Sequence, residues 1–212
     1  MRRIELEHVL RAASRVLAER DLLVIGSASI LGTFPETMLP IAATRSDEAD
    51  LASFDDADGA KATQIDGAIG ELSPFHRANG YYGQGVDMAT AKLAPGWRER
   101  LVVYRNRNTT PGRGLCLDRY DCVASKLAAF REKDREFAEA LIVAGLVDAR
   151  AVRERFDQIE DLDPRLYARV LAWLDARTPS PGAALATIPL FEGGAPDLSE
   201  RVDELLDGFG ER

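Results

Sequence analysis

The chain has 212 residues, 46% hydrophobic and 29% charged, an ordinary balance for a globular protein with a core to bury. Lys and Arg number 27 against 35 Asp and Glu, and the net charge of −8 argues against a protein that coats DNA, which needs a basic face for the phosphates. Two cysteines without CxxC spacing and two histidines indicate neither a disulfide framework nor a Cys/His zinc centre.

The opening MRRIELEHVL lacks the apolar core of a signal peptide, and no run approaches the roughly 18 apolar residues of a membrane span. A reducing cytoplasm and no membrane partner are the expectation. Ile4, Val9, Leu10, Ala13, Val16 and Leu17 recur at helical spacing over 4–20. Leu22–Ile25 is a short apolar run, read as a buried strand that ends at Gly26-Ser27. A helix is expected from Ala28, with Ser27 placed near its N-cap.

Pro35 and Pro40 punctuate a loop ahead of Ile41–Arg45, and Glu48-Ala49-Asp50-Leu51 reads as a second strand. Residues 56–70 read as a helix. The Gly- and Tyr-rich stretch 79–86 reads as a strand leaving a tight turn. Leu101–Tyr104 and Gly114–Leu117 are further strand candidates, with a loop at 105–113 between them.

From Asp118 the pattern turns helical. One long helix is expected over 118–144, stopping at Gly145, with others at 148–157 and 164–177. Four prolines make 178–196 an extended connection, and 197–207 a short terminal helix. Strands followed by helices predict an α+β fold, divided as a 1–117 core and a 118–212 helical region packed on it.

Two carboxylates at i and i+2 of a strand leave the same face, so Glu48 and Asp50 are placed to share a hard cation such as Mg²⁺. The glycine of Gly26-Ser27 lets backbone approach a phosphate, and a helix start just beyond adds free N–H groups. Read singly, the turn is also an ordinary turn with a cap, and the acidic run 46–50 also a solvated face. Their order along the chain joins them. Val123, Leu127, Phe130, Phe137 and Leu141 form an apolar stripe that Asp134 interrupts, and a buried carboxylate there needs a partner such as Arg131 or Lys133. Lys126 lies at the edge of the same face, suited to a triphosphate. Tyr81, Tyr82 and His76 fit core or surface roles as well as base stacking or general base catalysis.

The blocks VIGSASIL, TRSDEADL and YDCVASKLAAFREKDREFAEAL, with GAIGE, SPFH, GYY and QGV between them, resemble the bacterial nucleotidyltransferase-like proteins related to abortive-infection type II toxins. The resemblance spans about residues 20–145. It implies a mixed sheet with flanking helices and a Mg²⁺-dependent enzyme that moves a nucleotide from an NTP to an RNA (tRNA among them), protein or small-molecule acceptor. It also implies a toxin with an antitoxin protein as partner. Gly26 and Ser27 match the phosphate-holding turn, Glu48 and Asp50 the metal pair, and Arg45 the preceding arginine. Lys126 and Asp134 match active-site residues of the related toxins.

The chain departs from the family pattern in three respects, one being an interval from Ser27 to Glu48 on the long side. Glu stands where Asp is usual, and a third carboxylate is not evident, with Asp66, Glu71 and Asp87 as candidates. The alternative reading is therefore a nucleotide-binding or partner-binding module whose metal site has degraded.

Overall fold

The computed structural model describes residues 1–178, which form one compact unit. The connection expected at 178–196 and the helix expected at 197–207 lie outside the described residues, save for Thr178. Nine α-helices and five strands are described: α1 Arg3–Leu17, β1 Asp21–Ile25, α2 Ile30–Thr33, α3 Ile41–Thr44, β2 Glu48–Ala52, α4 Ala60–Ile69, α5 Pro74–Asn79, β3 Tyr82–Gly85, β4 Val102–Tyr104, β5 Arg113–Cys116, α6 Arg119–Ala129, α7 Glu132–Val143, α8 Ala149–Phe156 and α9 Pro164–Asp175.

The strands form one mixed sheet in the order β3-β2-β1-β5-β4. β1 lies at its centre, antiparallel to β2 and parallel to β5. Leu22, Leu23, Val24 and Ile25 are all buried, as an apolar run covered on both faces must be. β2 pairs in parallel with β3, and β5 antiparallel with β4. α1 buries Leu6, Val9, Leu10 and Ala13, packing on α4 and the sheet. α4 lies so close over β3 that a Cβ on Gly85 would meet the carbonyl oxygen of Ala62 at 2.1 Å. Only glycine fits that crossing. The later helices share the same core: α6 packs on α2, α7, α8 and α9, and α3 packs on α7.

The structure departs from the sequence expectation in three places. The helix expected over 118–144 is two helices, broken where Phe130 takes a left-handed conformation (φ 50°) and Arg131 starts the next helix. The helix after Gly26 is a 3₁₀ turn at Ser27–Ser29 running into the four residues of α2, and Ser27 makes no capping bond. The Ser29 hydroxyl instead donates to the Gly26 carbonyl at 2.8 Å. Finally, α5 stands where no helix is expected, started by Pro74 and by Ser73, whose hydroxyl accepts the His76 N–H at 3.1 Å.

Candidate active site

The register of the central strands builds the site. Ile25 of β1 faces Asp50 of β2, so the chain turns at Gly26 directly beside the Asp50 carboxylate. Gly26 has φ 63° and ψ −159°, a backbone region essentially reserved for glycine. A Cβ there would fall 2.0 Å from Asp50 Oδ2. The glycine thus serves two needs: the turn's conformation and room for the carboxylate.

Along β2, Ala49 and Leu51 point into the core while Glu48 and Asp50 remain partly exposed, the alternation that puts both carboxylates on one face. They open into a cleft of about 500 Å³. Gly26, Ser27, Arg45, Glu48, Asp50 and Lys126 all line it, as do Arg131 and Lys133 from the α6–α7 junction. Arg45 pairs with Glu136 at 3.1 Å on the exposed rim. Asp134 lies behind the cleft, fully buried. Its Oδ2 accepts from Arg131 Nε at 2.6 Å and its Oδ1 from Lys126 Nζ at 3.3 Å. The stripe position expected for Asp134 on a single helix is therefore corrected: it sits in the first turn of α7 and bridges the break, holding two of the four cleft cations, Lys126 and Arg131.

The electrostatics follow from burial. Desolvation, with Glu48 adding repulsion, pushes the Asp50 carboxyl up to about 6, against the pull of Lys126, Lys133 and Arg131. Asp50 accepts no hydrogen bond from the described residues, so part of its charge is left uncompensated. Asp134 is the opposite case: burial would raise its pKa, but the Arg131 hydrogen bond and the charges of Lys126 and Arg131 hold it below the usual carboxylate range.

Two supports of the site carry no plain mark in the sequence. Cys122, one turn before Lys126 on α6, directs its Sγ at the Gly26 carbonyl at 3.3 Å, and burial pushes its thiol up to about 11, so it stays a donor. Tyr82 donates its hydroxyl to Glu48 Oε2 at 3.0 Å, a contact made by strand register, which no local pattern encodes. Arg131, by contrast, is a partner expected for Asp134 from the sequence; what the periodicity hid is the helix break between them and α6, for which the acidic first turn Glu132–Asp134 is the cue.

The remaining candidates lie elsewhere. Tyr81 bonds His8 Nδ1 at 2.9 Å and packs edge-on to Phe75. His76 accepts the Leu72 N–H at 3.0 Å and lies against the Tyr82 ring. Asp66 accepts from the Gly85 N–H at 2.7 Å, and Asp87 from Ala89 at 2.7 Å, while Glu71 is exposed. Among the described residues no group of three His, Cys, Asp or Glu side chains is arranged to hold a metal. What Glu48 and Asp50 provide is a two-carboxylate oxygen set with one member short of compensating charge. That suits a hard divalent cation completing its shell with water and phosphate oxygens.

A mixed five-stranded sheet, with flanking helices and an acidic pair on the strand beside the Gly-Ser turn, is a nucleotidyltransferase-like α+β fold. A family model described as nucleotidyltransferase of unknown function (DUF6036) matches residues 4–175, and the chain belongs to that family. No curated protein and no solved structure matches the chain. No described helix is long and apolar enough to cross a membrane.

Proposed function

We propose that the protein is a Mg²⁺-dependent nucleotidyltransferase that moves a nucleotide from an NTP to an RNA, protein or small-molecule acceptor. One observation carries the reading: Glu48 and Asp50, two apart on one face of β2, share a cleft with Lys126, Arg131 and Lys133 of the α6–α7 junction. That pairing of an acidic strand with a cationic helix junction suits a substrate that brings both a divalent cation and several phosphates. Glu48 and Asp50 would hold the cation, which when bound neutralises phosphate charge. Lys126, Lys133 and Arg131 would meet the phosphate oxygens as fixed charges, with Asp134 keeping Lys126 and Arg131 in place. Gly26-Ser27 would give the phosphates a close backbone approach. The resemblance to abortive-infection type II toxins extends the proposal to a toxin paired with an antitoxin protein, acting in the cytoplasm.

The test is NTP consumption with a panel of acceptors. Asp50→Asn is expected to abolish turnover with the fold retained, and turnover equal to that of the unaltered protein would refute the assignment.

A second reading has its own support, since Glu48 and Asp50 lack a third ligating side chain among the described residues. In that reading the site is a nucleotide-binding or partner-binding module without turnover. Calorimetry separates the two: NTP binding indifferent to Mg²⁺, with no product formed, favours the module.

A further inference from the structure

We propose that Tyr82 is a positioning residue that converts Glu48 into an ordered cation ligand; the inference rests on the reading of Glu48 and Asp50 as a cation site. Glutamate has one more rotatable bond than aspartate. Left alone on an open cleft wall, its carboxylate would sample several rotamers, and ordering it would oppose binding. The structure supplies the missing constraint. β3 runs parallel to β2 with Tyr82 in register with Glu48, so the two side chains leave the sheet as neighbours. The Tyr82 hydroxyl donates to Glu48 Oε2 at 3.0 Å, which leaves Oε1 for a cation shared with Asp50.

Tyr82 is itself held. Its ring is nearly buried and lies 4.6 Å, centroid to centroid, from the ring of His76. His76 is fixed in turn at the start of α5, where its Nδ1 accepts the Leu72 N–H at 3.0 Å and its own N–H goes to Ser73. A chain of contacts from α5 through His76 and Tyr82 thus ends on one oxygen of Glu48. The same tyrosine would have no role beside an aspartate, whose carboxylate is too short to reach it. The tyrosine clamp and the longer carboxylate form a matched pair.

The test is Mn²⁺ titration of the NTP-free protein, followed by calorimetry, with the thermal midpoint as a check on folding. Tyr82→Phe keeps the ring and its packing but removes the donor, and is expected to weaken Mn²⁺ binding about 10- to 100-fold, the usual effect of losing a group that orients a ligand. In a Glu48→Asp background the same Tyr82→Phe change is expected to cost nothing. A loss of equal size in both backgrounds would overturn the proposal, because a purely structural role for Tyr82 acts through the fold whatever residue 48 is. Unchanged affinity in Tyr82→Phe, where Glu48→Gln loses binding, overturns it too while sparing the cation site. Absence of Mn²⁺ binding to the unaltered protein overturns the cation site and the proposal together.

Discussion

Asp50, partly exposed on the cleft wall, and Asp134, fully buried, are carboxylates near the same cations, yet they bear on stability with opposite sign. Asp134 receives hydrogen bonds from Arg131 and Lys126, while Asp50 receives none from the described residues. The Asp50 pKa rises from 3.8 in the unfolded chain to about 6 in the folded one. A raised carboxylate makes the folded state the tighter proton binder between those values, so its ionisation lowers stability progressively from pH 4 to 6, and the full penalty stands above pH 6. The scale is at most about 3 kcal/mol, less the screening that a partly exposed group receives. Metal-free Asp50→Asn is therefore expected to melt above the unaltered protein at pH 7.5 and level with it near pH 4. Equal midpoints at pH 7.5 in chelator would show that Asp50 is better compensated than its contacts indicate. A cation bound at the proposed site would relieve that cost by favouring the ionised carboxylate.

The junction of α6 and α7 shows what the sequence pattern hid. The stripe Val123, Leu127, Phe130, Phe137 and Leu141 continues at helical spacing across the break, and neither Gly nor Pro marks it, so periodicity alone reads one helix. The break decides the chemistry, since it turns Arg131 and Lys133 toward the cleft and puts Asp134 where it can bind both Arg131 and Lys126. The acidic strand, by contrast, was readable from residue spacing because period two is local and the partner strand's Ile25 lies in an unmistakable apolar run. The Tyr82–Glu48 bond was not readable, because it depends on a pairing across 34 residues. Asp134 holds the junction, so Asp134→Asn should destabilise the protein by about 2–3 kcal/mol at neutral pH, below the range for a wholly buried pair because Arg131 is partly exposed. With its folded pKa depressed, the carboxylate contributes fully above pH 3.8, and the contribution fades as pH falls through the folded value. Chemical denaturation at pH 7 and pH 3 checks this: the gap between variant and unaltered protein should narrow at the lower pH. A gap independent of pH would mean the pair is held by packing alone.

At the scale of the whole molecule, the question is whether the strand-rich first part and the helices after Asp118 melt together. Asp121 on α6 is buried to 1% exposure and accepts from Nε and Nη2 of Arg100, which precedes β4, at 2.8 and 2.9 Å. Arg155 of α8 reaches the same carboxylate at 2.7 Å. One buried anion thus joins the approach to the sheet edge, the helix that carries Lys126 and the helix packed behind it. The apolar core is likewise continuous from Leu6 of α1 to Leu174 of α9. Buried charge without a partner costs about 3–5 kcal/mol, a large share of the roughly 5–15 kcal/mol that keeps a domain folded. The two tryptophans report on the two parts separately, Trp97 beside Phe54 in the strand-rich part and Trp173 on α9 beside Phe130. Single-tryptophan variants, Trp97→Phe and Trp173→Phe, should therefore show coincident denaturation midpoints. Adding Asp121→Ala should lower both by the same amount. If the Trp173 signal moved while the Trp97 signal stayed, the helices would be a separately folding unit, and the cleft between Asp50 and Lys126 would open whenever that unit melted.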